Sequence, residues 1–134
     1  SESAENPVYY VQYAHARIAR MLAKAGEGRV AEALAAEGFG EELPPLEPAE
    51  RRLIGLLLEF PAEVAEAAER RAPHRIASYA LTLAQAFSAF YRDCLVVGAE
   101  PPALESARIR LSVATQRTLA TALWLLGVSA PTSM

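Results

Sequence analysis

The chain has 134 residues, 52% of them hydrophobic and 22% charged, with a formal net charge of −3. This composition predicts one globular domain with its own core rather than a disordered chain, and the net charge argues against a general nucleic-acid-binding protein. The single cysteine, Cys94, excludes an internal disulfide, and no apolar run is long enough to span a membrane, so we expect a cytoplasmic location and no membrane partner.

The charges are unevenly distributed along the chain. Residues 27–66 contain ten acidic and three basic residues, whereas the rest contains six acidic and ten basic residues. A polyanion would therefore favour the two ends of the sequence over its middle, although charged side chains on helices are usually just solvated. The first residue is not methionine and SESAENP is not a signal peptide, so we interpret residues 1–134 as one domain of a longer protein.

The first half of the chain contains regular helix signals. Asn6 and Pro7 predict the start of a helix over residues 7–25, which ends at Gly26. A short Ala-rich helix is expected over residues 29–37, ending at Gly38, and a loop follows it.

The second half continues the same pattern. Pro48 predicts the start of a third helix, which Pro61 stops or kinks, and a further segment runs to about Arg71. Two long helices are expected next, over residues 73–97 and 102–127. Because no segment shows the alternation of a strand, the sequence predicts an all-α bundle of five or six helices.

The first helix has two opposite faces. An apolar stripe with steps of three and four residues predicts the side that faces the core. A second stripe, about 200° away, carries aromatic rings followed by cations. Tyr9 lies between the two stripes. The apolar stripe is Val8, Val11, His15, Ile18 and Leu22, and the second stripe is Tyr10, Tyr13, Arg17, Arg20 and Lys24.

The second stripe allows two interpretations. Tyrosines one turn apart, with arginines one turn further on, suit the stacking of unpaired RNA bases and the binding of the RNA backbone. Alternatively, the tyrosines pack under a loop and the cations are solvated. His15 lies on the apolar stripe, where we expect a core histidine with one hydrogen bond.

The last two helices carry the remaining candidates. We expect Cys94 to pack in a core stripe with Phe87 and Phe90, and Tyr91 to lie about 100° from that stripe, beside Arg92. Arg110 and Arg117 are expected on the surface, and Trp124 over the end of the bundle. For the last helix the predicted buried positions, or their neighbours, are Leu104, Ala107, Leu111, Ala114, Thr118 and Leu125.

No residue pattern indicates catalysis within this chain. The only histidines are His15 and His74, which argues against a Ser-His-Asp or Cys-His site, and the only aspartate is Asp93, which excludes paired-aspartate catalysis. The glycines do not form a phosphate-binding loop, and the chain has no paired cysteines for a metal. We therefore expect neither a catalytic residue nor a metal or cofactor site here.

Three segments carry a resemblance to a known family. They are NPVYYVQYAHARIARML, SYALTLAQAFSAFYRDCLVVG and ESARIRLSVATQRTLATALWLLGVSAP, and the last is followed by the closing Met134. Together they resemble the C-terminal DALR-type anticodon-binding domain of arginyl-tRNA synthetases. The likeness covers nearly the whole chain, and it is strong over residues 5–22 and 79–134 and thin over 26–72.

The resemblance implies a helical bundle that binds the anticodon stem-loop of the arginine-accepting tRNA. The family's RNA-binding residues match Tyr10, Tyr13, Arg17, Tyr91 and Met134 here, and the stripe itself adds Arg20. Two features depart from the family pattern. The chain ends in Thr-Ser-Met where many members end in Glu-Arg-Met, and ESARI stands in the region that gives the family its Asp-Ala-Leu-Arg lettering.

The class I signatures His-Ile-Gly-His and Lys-Met-Ser-Lys-Ser are absent from the chain. The resemblance therefore implies the anticodon-binding part of an arginine–tRNA ligase, with ATP used by a catalytic domain elsewhere in the full protein. Its implied partners are the tRNA and that catalytic domain, and no DNA partner is expected. Two alternatives stay open: a helical protein-interaction module without RNA binding, and the related tRNA-binding domain of another synthetase such as the glycine enzyme.

Overall fold

A computed structural model describes residues 6–36 and 43–134, and this part of the chain forms five helices. They are α1 (Pro7–Ala25), α2 (Glu27–Ala35), α3 (Pro48–Glu69), α4 (His74–Asp93) and α5 (Pro102–Leu125). The all-α bundle predicted from the sequence is confirmed. Among the described residues, no helix combines the length and apolar character needed to cross a membrane.

Helices α1 and α3 begin where the sequence predicts. The Asn6 side chain accepts hydrogen bonds from the backbone N–H groups of Val8 and Tyr9, and Pro7 occupies the first helical position. At the start of α3, the Glu50 carboxylate accepts a hydrogen bond of 2.7 Å from the Glu47 backbone N–H, as part of a capping box. These local bonds satisfy N–H groups that a helix start would otherwise leave unpaired.

The second helix begins and ends two residues earlier than expected. It spans Glu27–Ala35, and Gly26, at φ 97°, separates it from α1. A positive φ costs glycine little, so the chain turns sharply there. The predicted end at Gly38 lies outside the described residues.

Pro61 does not stop the helix, because α3 continues through it from Pro48 to Glu69. Proline has no backbone N–H, so a carbonyl in the preceding turn of the helix loses its hydrogen-bond donor. In that turn, the Tyr79 hydroxyl of α4 donates to the Leu56 carbonyl, and the Tyr79 ring lies 5.4 Å from that of Phe60. Tertiary packing therefore supports the helix where its own hydrogen bonding is weakest.

The fourth helix ends at Asp93 rather than near residue 97. Cys94 is extended, with φ −124° and ψ 119°, and both Cys94 and Val96 are buried. The apolar run after Asp93 therefore belongs to the connection between α4 and α5. This connection begins as an extended segment that packs partly into the core. Cys94 packs in the core as predicted, and burial raises the pKa of its thiol.

The fifth helix is central and contacts each of the other four. Of the positions predicted to be buried, Leu104 is buried, but Ala114 and Leu125 are exposed. A helix with neighbours on several sides is apolar around much of its circumference, so a single stripe does not describe its core face. The buried residues of α5 are Leu104, Arg108, Ile109, Ser112, Val113, Thr115, Leu119, Ala122 and Leu123.

A buried ion pair joins α3 to α5. Arg108 Nε lies 3.0 Å from Glu50 Oε2, and the two side chains are only 10% and 3% exposed. Arg108 also donates a hydrogen bond of 2.8 Å to the Leu95 carbonyl in the α4–α5 connection. One guanidinium therefore ties together the start of α3, the connection after α4 and the first half of α5.

Removing one partner of this pair should cost more than removing both. Arg108→Met leaves the Glu50 carboxylate buried without its cation, so we expect the free energy of unfolding to fall by about 3–5 kcal/mol. The double replacement Glu50→Leu/Arg108→Met buries neither charge and should recover most of that loss. Urea denaturation of the chain and both variants measures the difference, and a double variant no more stable than Arg108→Met contradicts the expectation.

Tyr79 should make stability sensitive to alkaline pH. Burial, together with the carboxylates of Glu59 and Glu63, raises the pKa of Tyr79 to about 12. An unfolded tyrosine titrates near about pH 10, so the folded state holds the proton more tightly, and stability should decline between about pH 10 and about pH 12. The Tyr79→Phe variant has no hydroxyl to ionise at this position, so its stability should decline less over this window. Thermal melts of both proteins across the window measure the difference, and parallel declines would exclude Tyr79 as the cause.

Candidate nucleic-acid interface

The predicted core face of α1 is confirmed. Val11, His15 and Ile18 are buried, and Val8 and Leu22 are partly buried against the core. His15 is the core histidine with one hydrogen bond that the sequence predicts, because its Nδ1 lies 2.7 Å from the Pro131 carbonyl oxygen.

The opposite stripe is only partly exposed, because α4 packs against one edge of α1. Tyr13 is 43% exposed, and Arg20 and Lys24 face solvent. Tyr10, in contrast, is half-buried, and its hydroxyl lies 3.1 Å from Ser88 Oγ of α4. Since Ser88 donates its own proton to the Ala84 carbonyl, Tyr10 is the donor in this bond. The expectation that Tyr10 faces away from the packed side of α1 is therefore wrong.

Two cation–aromatic pairs lie along this stripe. The guanidinium carbon of Arg17 is 4.2 Å from the centre of the Tyr91 ring, and that of Arg20 is 5.7 Å from the centre of the Tyr13 ring. Tyr91 in turn stacks against Phe87, with ring centres 6.2 Å apart and planes inclined by 24°. A cation over an aromatic face is attracted by the ring quadrupole. The structure therefore brings Tyr13, Arg17, Arg20 and Tyr91 to one side of the α1–α4 pair.

The last residues of the chain also contact α1. Gln12 Nε2 donates to the Ser129 carbonyl at 3.0 Å, and His15 contacts the Pro131 carbonyl as described above. Met134 is half-exposed three residues further on. No hydrogen bond or ion pair among the described residues joins Met134 to Tyr13 or Arg17, and its position as a site residue stays a prediction. Tyr9 is half-buried.

Most arginines outside α1 are engaged within the protein. Arg29 Nε lies 2.7 Å from Glu105 Oε1, and Arg110 donates a hydrogen bond to the Ala33 carbonyl near the end of α2. The exposed Arg92 pairs with Asp93, and this hydrogen bond holds the pKa of the Asp93 carboxyl below its ordinary value. Within the described ranges, no carboxylate lies at ion-pair distance from the cations of the stripe, which are Arg17, Arg20 and Lys24.

Two expectations for α5 need correction. Arg110 is half-buried against α2 and is not a free surface cation, whereas Arg117 is exposed as predicted. Trp124 is 76% exposed and does not cover the end of the bundle. Neither arginine pairs with an aromatic ring in the described part of the chain.

Sequence reasoning missed a cavity of about 250 Å³ beside Tyr91. The extended segment after α4 forms one wall, and the end of α1 forms the other. The cavity exists because α4 ends four residues earlier than its apolar pattern predicts, so no periodicity indicates it. Its lining includes Met21, Lys24, Tyr91, Cys94, Val96 and Val97.

The described residues offer no metal centre, since no three His, Cys, Asp or Glu side chains come together among them. The chemistry of the α1 face is instead that of planar stacking surfaces beside unpaired cations. Such a face suits a ligand that has both aromatic rings and negative charges.

Comparison with known proteins gives a consistent result. The sequence profile of the DALR anticodon binding domain matches residues 11–134. The chain is 44% identical to the arginine–tRNA ligase of Shouchella clausii and 48% identical to that of Desulforudis audaxviator. Each match spans 100% of this chain but only 23% of the relative. The solved arginyl-tRNA synthetase of Thermus thermophilus superposes with a TM-score of 0.79 at 39% identity, over 98% of this chain and 22% of that one.

Tyr13 and Val11 should differ sharply in their contribution to stability. Val11→Ala deletes buried methyl groups, so we expect the free energy of unfolding to fall by about 1–2 kcal/mol, from the cost per buried methylene plus a cavity term. Tyr13→Ala removes a ring that is 43% exposed and should cost clearly less. Thermal melts of the two variants test this, and a Tyr13→Ala variant as unstable as Val11→Ala would mean that the ring belongs to the core.

Proposed function

The chain belongs to the DALR anticodon binding domain family, and we propose that it binds the anticodon stem-loop of the arginine-accepting tRNA. The observation that carries the proposal is the α1 face, where Tyr13, Arg17, Arg20 and Tyr91 lie together and where no acidic side chain of the described residues neutralises the cations. The relatives' names favour the arginine enzyme over the glycine enzyme.

Unpaired bases of an anticodon loop would stack on this face. The Tyr13 ring is the most accessible of the face's aromatic surfaces, and a stacked base contributes about 1–3 kcal/mol. The Arg17 guanidinium already lies over the Tyr91 ring, so it has less rotational freedom to lose when a base or phosphate binds to it. Arg20 and Lys24 are exposed one and two turns further along α1, where they would contact phosphates.

The face holds few cations, so the interaction should be modest in strength. Anticodon binding by this domain would supply orientation and part of the affinity for the tRNA. The chain spans about a quarter of the length of its relatives, and we propose that the remainder of the full protein carries the ATP-dependent ligation of arginine to tRNA. The partners of this domain are then the arginine tRNA and that catalytic part.

Tyr13→Ala and Arg17→Lys should both weaken tRNA binding while the domain stays folded. We expect each to lose about 1–3 kcal/mol, because the first deletes a stacking ring and the second keeps the charge but loses the planar fork. Binding of the arginine tRNA, measured by fluorescence titration, gives the affinities. A tRNA with a replaced anticodon loop is the specificity control, and Val11→Ala is the control for stability.

Salt dependence separates RNA binding from a protein-interaction role. With about three to five phosphate contacts, the logarithm of the affinity should fall against the logarithm of salt concentration with a slope of roughly −2 to −4. A flat salt response, or equal binding of both tRNAs, would contradict anticodon recognition by this face.

A further inference from the structure

The segment that follows α5 takes a defined path. Gly127, at φ 75°, reverses the chain after the helix, and the Val128 N–H donates to the Leu123 carbonyl at 2.9 Å. Val128 and Ala130 then pack against the core. Residues 128–131 are therefore attached to the bundle by apolar contacts as well as by a helix cap.

Two side chains of α1 hold this segment by its backbone carbonyls. The Gln12 amide donates to the Ser129 carbonyl, and the His15 Nδ1–H donates to the Pro131 carbonyl at 2.7 Å. Gln12 lies between the core stripe and the Tyr13 stripe, and His15 lies on the core stripe itself. Ala16, one turn after Gln12 on that side, is fully buried.

We infer that Gln12 and His15 are positioning residues, which hold the segment after α5 against α1 so that residues 132–134 form one rim of the tRNA-binding face. This inference rests on the proposed function. Three residues reach at most about 10 Å beyond Pro131, so the last side chains stay close to α1. Thr132, Ser133 and Met134 are exposed there.

The two anchors act by limiting the freedom of these residues. Each mobile side chain or loop residue that becomes ordered on binding costs free energy, and prior attachment reduces that cost. Both anchors bond to backbone carbonyls, so they hold the segment whatever the identity of the last three side chains. Two hydroxyls in Thr132 and Ser133 provide hydrogen-bond donors and acceptors for RNA at the rim.

Binding measurements on matched variants test the inference. Gln12→Ala removes an anchor from a partly exposed position, and Gln85→Ala on the exposed side of α4 is the matched control. His15→Leu removes the buried donor, whereas His15→Asn keeps an N–H donor near the same place. A chain that stops after Pro131 lacks the rim altogether. We expect Gln12→Ala, His15→Leu and the shortened chain each to bind the arginine tRNA about three- to tenfold more weakly, an effect of roughly 1 kcal/mol.

Coupling between the changes separates positioning from a general structural effect. Gln12→Ala in the shortened chain should weaken binding no further than the shortening alone, because the anchor has nothing left to position. His15→Asn should bind better than His15→Leu at equal thermal stability. Carboxypeptidase should release Met134 faster from Gln12→Ala and His15→Leu than from the unchanged chain or Gln85→Ala.

The outcomes distinguish this inference from the proposal it rests on. Failure of the unchanged chain to bind the arginine tRNA overturns the proposed function and, with it, the rim. If the unchanged chain binds and Gln12→Ala binds equally well, the inference alone is wrong. The inference is also wrong if the losses of binding free energy from Gln12→Ala and from the shortening are fully additive, because the two changes would then act independently.

Discussion

The Glu50–Arg108 ion pair is the contact on which the arrangement of the helices depends. Two opposite charges inside the protein lose their hydration, so the pair is tolerated only when its geometry and additional hydrogen bonds compensate. Here Glu50 also accepts from the Glu47 N–H, and Arg108 also donates to the Leu95 carbonyl. The requirement to satisfy both groups fixes α3, α5 and the connection after α4 relative to one another.

That arrangement also bears on the proposed RNA-binding face. The Leu95 carbonyl accepts from Arg108 in the segment that follows α4, which ends at Asp93. Tyr91 therefore lies in the last turn of α4, beside the extended segment, where its ring contacts Arg17 of α1. A helix that continued to residue 97 would fill the cavity beside Tyr91 with its own turns. The segment that Arg108 contacts therefore lies beside Tyr91 of the proposed face.

Local signals in the sequence predicted the fold well, and tertiary contacts explain the differences. The Asn6-Pro7 cap and the burial of His15 depend on neighbours in the chain or on one stripe, so they could be derived. Near Pro61, Tyr79 from another helix packs against α3, and Tyr10 is half-buried beside Ser88 of α4. Both partners are distant in sequence, and nothing in the local pattern indicates which helix lies alongside. The same limit applies to α5, whose central place makes periodicity uninformative.

The candidate site was predictable by residue type but not by arrangement. Tyr13, Arg17, Arg20 and Tyr91 could each be named from spacing and resemblance. That Arg17 lies over Tyr91 while Arg20 lies near Tyr13 is a property of how α1 and α4 pack. The Gln12 and His15 contacts to the last residues are also invisible to periodicity, because they join positions more than 100 residues apart.

The negative net charge does not oppose binding of a polyanion, because the charges are spatially separated. The acidic helix α3 contacts α4 and α5 but not α1. Packed helix axes are about 8–10 Å apart, so a helix behind an intervening one lies beyond the screening length of about 8 Å in physiological salt. An RNA loop approaching α1 therefore experiences Arg17, Arg20 and Lys24 more strongly than the carboxylates of α3. Arg29, Arg108 and Arg110 are engaged within the protein, whereas the cations of the α1 stripe make no ion pair among the described residues. A chain of modest negative charge can therefore still present one face suited to RNA.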